Sequence, residues 1–598
     1  MKPRSWLPSA ALVLAGWWIY APALHGGWIW DDRVDITENT VLRDPAGWWK
    51  IWFAPQGLDY YPLKTGVQWI QWRLWGLDPF GYHLTNLGLH LLSGFLFWAL
   101  LRRLGVRLAW LGGLLFVVHP LAVESVAWVV ELKNTLSLPL LLGAMLAYLA
   151  YDETRRPGKL IGAWLLFLAA MLGKTSVVMF PFVLLLHAWW KRGRIGRRDL
   201  AASAPFFAVS LALGLATIWL QQHRTIGTAV VPMGGVLSRL AGAGLSAAFY
   251  FSKFFVPLGL SPVYGRWRVD PPAFWQFWPW ALLIFGWKAM AAARSTFRHL
   301  LLGLGFFLLN LAPILGFVTV SFMRFTAVMD HLAYLPMLGL AGLTAAAAGS
   351  AERWTASAGA GGRRRAVRLL LWAVVGAVLL ALAIDSRRLA ATYRGEESFW
   401  TRAVAMRPEA WPARNNLGIA LEGAGRLPEA VAQYREAVRL EPGNAESHFN
   451  LGIALGREGL AADAIAQYET SIKLQPNFLG AYFNLADALA AAGRWPEAIA
   501  DYQAALRLEP RHVEAHNNLG TALNRVGRVP EAIAQFEAAL ALDPADAEAH
   551  NNLGVAFAES GRFPEAIVQF RAAVRLRPDY ANALRNLRRA EASTAGRP

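Results

Sequence analysis

Residues 411–444 read WPARNNLGIALEGAGRLPEAVAQYREAVRLEPGN, and the same cadence returns with a period of 34 residues almost to the end of the chain. Leu417, Leu451, Leu485, Leu519 and Leu553 keep one register. Gly425, Gly459, Gly493, Gly527 and Gly561 keep a second, and Pro442, Pro476, Pro510, Pro544 and Pro578 a third. The glycine allows the tight turn between two helices, and the proline stops the second of them. A helix–turn–helix unit of this length builds an α-solenoid.

The pattern is that of the tetratricopeptide repeat. Pro408 sits one period earlier, after EESFWTRAVAMR, so a repeat domain is predicted over 389–598. It comprises a half-repeat at 389–410, five repeats over 411–580 and a capping helix at 581–592. Asn416, Asn450, Asn484, Asn518, Asn552 and Asn586 stand immediately before the register leucine, or before Leu587 in the cap. That place lies on the first helix of each pair, which lines the concave face. A ladder of side-chain amides can pair with the backbone of an extended peptide without reading its side chains. Simple duplication of the repeat would copy the same asparagines, so both readings stand.

Working back from residue 388, the composition changes. The 598-residue chain is 55% hydrophobic, holds 28 Trp and is only 17% charged, with mean hydropathy +0.31. Those values belong to an integral membrane protein. Spans are expected near 6–24, 84–103, 107–127, 135–151, 159–173, 175–190, 200–220, 277–293, 297–317, 334–349 and 366–385, about eleven in all. The first, basic and then apolar, reads as an uncleaved span. The net charge of +17 sits largely in short clusters between apolar runs, among them Arg102-Arg103, Arg155-Arg156, Lys191-Arg192 and Arg363 to Arg365. Such clusters mark inner loops better than a nucleic-acid face, so no nucleic-acid partner is expected. With 240–260 re-entrant or interfacial, the count is odd and everything after 386 lies outside the cytoplasm, the inner membrane of a bacterium being the expected place. There are no cysteines, which excludes disulfides and thiolate chemistry.

Charged groups near a bilayer are functional candidates, and on this topology several share the outer side. Asp31 and Asp32 follow the first span in WIWDDRVDITEN. His119, Glu124, Glu131 and Lys133 lie in FVVHPLAVESVAWVVELKN, Lys174 in MLGKTSVVMF, and Arg324, Asp330 and His331 in SFMRFTAVMDHLAYLP. Each has a plainer reading: loop charges for Glu124 and Lys133, a helix-end histidine for His119, a snorkelling hairpin tip for Lys174, a solvated cap for the aspartates. The outer loop over 26–83 is dense in Trp and Tyr and is expected to lie in the membrane interface. Acids and bases together there suggest chemistry on a lipid-linked anion. A carboxylate can deprotonate an acceptor hydroxyl, and Lys, Arg or His can hold a phosphate.

At these residues the sequence resembles the transmembrane-and-tetratricopeptide branch of the protein O-mannosyltransferase-like, lipid-dependent glycosyltransferases of the C-type fold. The resemblance rests on WIWDDRVDITEN, YYPL, LWGLDPFGYHLTNLGLHLL with His83, HPLAVESVAWVVELKNTLS, GKTSVVMFPFVLLL and DHLAYLP, in that order, followed by the repeats. It implies an all-α chain, with a polytopic glycosyltransferase domain over 1–388 ahead of the solenoid. It also implies a polyprenyl-phosphate sugar donor, mannose in the best-known relatives, and an acidic pair in the first outer loop acting on the acceptor. That pair maps onto Asp31 and Asp32, with Asp32 taken as the base. Lys174, His331, Arg324 and His119 are then expected at the donor phosphate, supported by Glu124, Lys133, Asp330 and His83. Bacterial relatives usually carry Asp-Arg-Tyr where this chain has Asp330-His331-Leu332, and Lys-Asp where it has Lys133-Asn134. The repeats separately resemble the amide-lined superhelix of the soluble O-linked N-acetylglucosamine transferase.

The leading expectation is therefore a membrane enzyme moving a sugar from a polyprenyl-phosphate carrier to a protein hydroxyl presented by the repeats. No cofactor is expected; an acidic pair could hold a divalent cation, but no further acid cluster asks for one. The alternative is a membrane-anchored scaffold or assembly factor whose transferase core is inactive.

Overall fold

The computed structural model describes residues 6–53, 60–226, 234–265, 267–292, 294–324, 326–356 and 362–595, and among them it is helical throughout, with no strand. The chain forms two compact units, 1–410 and 411–598.

In the first unit, five helices are long and apolar enough to cross a membrane: Leu7–Leu24, Pro79–Arg103, Val129–Thr154, Arg197–Arg224 and Arg365–Arg394. The pair Ala109–Val118 and Pro120–Ala127 is apolar enough only when taken together and is bent by 60°, the form of a broken span or a re-entrant loop. The bend has a local cause. Pro120 has no N–H for the helical ladder and drives the preceding residue out of the helical region, and His119 accordingly sits at φ −79, ψ 131. The other expected spans fall on helices Pro157–Gly173, Phe180–Arg192, Trp278–Ala292, Arg294–Leu311 and Met337–Ala356, which are shorter or less apolar. The 240–260 segment is a helix, Val236–Phe255, that also stops short of that measure.

The outer loop folds into short helices, Thr40–Arg43, Gly47–Phe53 and Pro62–Trp75. Trp28, Trp69, Trp72 and Trp75 pack around Ile36, Leu42, Tyr82 and Val129, while Trp49 and Phe53 stay about two-thirds exposed at 68% and 67%. An element buried on one side and aromatic on the other suits the membrane interface. The helix Glu396–Met406, expected as a half-repeat, belongs to the first unit, where Phe399 and Trp400 are buried.

The second unit is the solenoid. Its first helices are Trp411–Gly423, Ala445–Arg457, Leu479–Ala491, Val513–Arg525 and Ala547–Glu559, and a terminal helix runs Ala581–Ala595. Successive first helices pack on one another more closely than successive second helices do, so the first helices lie on the inside of the curve. The turn glycines hold φ of 76 to 83, a conformation that a side chain resists. A second glycine register allows close approach: a Cβ on Gly452 would meet the Tyr468 ring at 2.6 Å.

Candidate functional site

The site begins where the first span ends. Trp30 adopts φ +49, a left-handed conformation that is costly for a bulky residue and persists only where the surroundings impose it. Here its indole stacks on Trp128 at 5.4 Å and stands edge-on to Trp400 at 4.9 Å. The Trp30 backbone N–H donates to Glu396 Oε1 at 3.3 Å, and Arg33 pairs with the other Glu396 oxygen at 3.0 Å. This strained turn sends two consecutive carboxylates in different directions.

Asp32 turns inward and is buried. It accepts the N–H of Ile29 at 2.9 Å and of Val130 at 2.8 Å, tying the loop to the segment after the broken span. Burial pushes its pKa well above the carboxylate range, against the pull of those two N–H groups. Asp31 turns outward and is exposed, and no side-chain hydrogen bond or ion pair engages it among the described residues. Protein crowding raises its pKa, Lys133 lowers it, and Asp35 and Glu131 raise it further. Asp35 is anchored by Lys64 and, at 2.8 Å, by Gln68. Burial alone would raise its pKa, but these partners outweigh it and the net shift is downward.

Beyond Asp31 lies a network drawn from three distant segments. Glu131 is buried and central: Lys133 Nζ lies 3.0 Å from Oε1, Lys174 Nζ 3.7 Å from Oε2 and His331 Nε2 3.8 Å from Oε1. Asn134 bridges the members, donating to Glu131 Oε2 at 2.6 Å and accepting from Lys174 at 2.8 Å. Glu124 holds His331 twice, by the backbone N–H at 3.0 Å and by ring Nδ1 at 3.1 Å. The structure thus brings Glu124, Lys133, Lys174 and His331 together. Glu131 and Asn134 organise them, although the sequence assigns Glu131 no role of its own and marks Asn134 only as a departure from the relatives' pattern. Glu131 was visible as an acid in an apolar run, but nothing in the sequence marks it as the shared partner of two lysines and a histidine.

Other expected site residues hold different places. Asp32, taken as the base, is committed to two backbone N–H groups, whereas Asp31 is exposed. His119, expected at the donor phosphate, is fully buried and stacked on Phe254 at 4.8 Å. Its Nδ1 accepts from the Leu121 N–H at 3.2 Å, which leaves Nε2 to donate to the Phe254 carbonyl at 2.8 Å. One nitrogen is spent at the bend and the other on the end of the helix Val236–Phe255. Asp330 is buried and accepts from the Tyr264 hydroxyl at 2.7 Å. Its pKa is pushed well up, by burial first and then by Glu124, so it supports the loop from behind. His83 is buried beside the backbones of Gly26 and Ala127. The Arg324 side chain lies outside the described residues.

In the second unit the six asparagines are all half-buried on the first helices. Asn450, Asn552 and Asn586 donate to Asn415, Asn517 and Asn551 of the preceding repeat at 3.0 to 3.1 Å. Asn518 donates to Asp487, while Asn416 and Asn484 bond back to Pro412 and Gly480 within their own helices. Each amide thus spends one N–H on the solenoid.

Tetratricopeptide-repeat family profiles match residues 449–511, 483–537 and 518–581, and also 423–459. Among curated proteins, the chain is similar to protein O-mannosyl-transferase Tmtc1 of Drosophila melanogaster, 31% identical over 175 residues, which is 27% of this chain and 20% of that protein. It is similar to protein O-mannosyl-transferase tmtc2 of Xenopus laevis, 30% identical over 176 residues, again 27% of this chain and 20% of the other. The matched part spans about a fifth of the length of these relatives. Among solved structures, YrrB, described as a TPR protein with an unusual peptide-binding site, matches 31% of this chain and 96% of its own, with 24% identity and a TM-score of 0.29. The chain thus joins apolar helices to tetratricopeptide repeats and is similar, over about a quarter of its length, to proteins named TMTC protein O-mannosyl-transferases.

Proposed function

We propose that the first unit transfers a sugar, mannose by its relatives, from a polyprenyl-phosphate carrier to an acceptor hydroxyl outside the cytoplasm, and that the repeats hold the acceptor polypeptide. The observation that carries this reading is Asp31: an exposed carboxylate on a braced turn, unengaged among the described residues and within electrostatic reach of Lys133, Glu131 and His331. As general base it takes the proton of the acceptor hydroxyl while that oxygen attacks the anomeric carbon. The bond between that carbon and the phosphate oxygen breaks, and the polyprenyl phosphate leaves. Lys133, at 22% side-chain exposure, can swing from Glu131 to the departing phosphate, with Lys174 and His331 behind it. Glu131 keeps these cations clustered until the donor arrives.

The alternative, an inactive core that anchors a scaffold, draws on the same network: Asn134 and Glu131 already satisfy Lys174, and His331 is held by Glu124. The deciding experiment follows sugar release from radiolabelled polyprenyl-phosphate mannose by the purified full-length protein and by Asp31→Asn. Turnover lost in the variant establishes the transferase. No turnover with a panel of lipid-linked sugars favours the scaffold.

A further inference from the structure

The inner face of the solenoid is not uniform. In the first, fourth and fifth repeats the residue before the ladder asparagine is also Asn, namely Asn415, Asn517 and Asn551, and each is buried, at 2% or 6% exposure. Each accepts the amide of the next repeat's ladder asparagine and so stitches neighbouring first helices together. In the second and third repeats that place is taken by Phe449 and Phe483. A phenyl ring accepts no such bond, so Asn484 turns back to Gly480 and Asn518 goes to Asp487 instead. The rings are only half-buried. Phe449 lies 4.7 Å from Phe478, and Phe483 stacks on His512 at 5.0 Å. Asp487, one helical turn beyond Phe483, accepts from Tyr502 and Asn518, has His512 and Glu514 as its charged neighbours, and is paired with no lysine or arginine among the described residues.

From this we infer that the second and third repeats form a side-chain-reading subsite within a backbone-reading ladder, taking an extended polypeptide segment with a bulky apolar residue followed by a basic one. The apolar side chain packs on Phe449 and Phe483, and the basic one meets Asp487, whose carboxylate is the complementary charge. Flanking ladder asparagines keep one N–H for the peptide backbone and, except for Asn552, whose oxygen accepts from Asn551 at 3.3 Å, an amide oxygen as well. The inference rests on the reading of the repeats as a peptide groove and adds what the groove selects.

The test uses the full-length protein in nanodiscs and fluorescein-labelled decapeptides of alternating serine and alanine with a central Phe-Lys pair. Anisotropy compares this peptide with its Phe→Ser and Lys→Ser counterparts. On the wild type, loss of the Phe weakens binding about tenfold or more, and loss of the Lys weakens it less. The double variant Phe449→Asn and Phe483→Asn restores the residue of the other repeats, so it keeps the fold, which its helical melting curve checks. In that variant the Phe and Ser peptides bind alike; Asp487→Asn removes only the preference for Lys. Equal binding of the Phe and Ser peptides by the wild type would overturn the subsite and leave the peptide groove standing. Binding of none of the peptides would overturn both. A Phe preference that survives in the double variant would place the recognition elsewhere and overturn the assignment to these two rings.

Discussion

Asp31 and Asp32 are neighbours in the chain with opposite duties, and substitution separates them. Asp31→Asn removes the candidate base and no hydrogen bond of the fold. Transfer should fall by about 10²- to 10⁴-fold with an unchanged melting temperature. Asp32→Ala leaves two buried N–H groups, on Ile29 and Val130, without acceptors. Each such group costs about 1–3 kcal/mol, so this variant should melt earlier and its loop should be cut sooner by protease, with activity following the folded fraction. The pH profile gives a further check. Asp31 must be ionised to accept a proton, and its pKa is raised by the protein around it. The acid limb of kcat/KM should therefore lie above the ordinary aspartate value of about 3.9 and vanish from the residual activity of Asp31→Asn. The adjacent pair itself was plain in the sequence. Which member is free was not, because that depends on the positive φ of Trp30 and on the Val130 N–H, about a hundred residues away. His119 misled for a related reason: a histidine before a proline looks the same whether it caps a bend or meets a ligand.

Elements show the same division between short-range and long-range information. The repeats were legible nearly residue by residue, since each turn glycine and stop proline acts within its own 34-residue unit. Gly452→Ala tests that logic: its new Cβ would overlap the Tyr468 ring at 2.6 Å. Overpacking of this kind costs about 1–3 kcal/mol, so a lower urea midpoint for the repeat transition is expected. The membrane helices were legible as apolar runs, but the order in which they assemble their polar ends was not. Glu131, Lys174 and His331 meet only because a broken span, a helix pair and a late loop converge. Glu131→Gln should release that convergence. Removing one partner of a buried ionic cluster costs about 3–5 kcal/mol, and here two lysines lose the same carboxylate. The variant should lose sugar transfer and become more sensitive to detergent, whereas Lys133→Gln, at the exposed rim, should keep the fold and raise KM for the lipid donor.

For the whole molecule, the question is which side of the membrane carries which part. The Gly27 N–H donates to the Arg394 carbonyl at 3.0 Å, and Arg33 pairs with Glu396 at 3.0 Å. The loop after the first span and the segment after the last therefore lie on the same side. The number of crossings between Leu24 and residue 390 must then be even, and the total odd. This parity does not depend on deciding which of the shorter helices cross. It agrees with the odd number of spans expected from the sequence: the five helices long and apolar enough to cross already give an odd total with the bent pair re-entrant, and if that pair crosses, an odd number of the shorter helices must cross with it. The proposed side follows from the positive-inside rule: if Arg102-Arg103 and Lys191-Arg192 lie inside, Asp31 and residue 396 lie outside. A reporter active only outside the cytoplasm, fused after residue 598, should be active, because no helix of the described second unit is long and apolar enough to cross. The same reporter placed in the outer loop after Asp44 should agree with it. Opposite results from the two positions would break the contact between Arg33 and Glu396 as a feature of the native fold. Two inactive reporters would leave that contact intact and move Asp31, with the transfer it is proposed to carry out, to the cytoplasmic face.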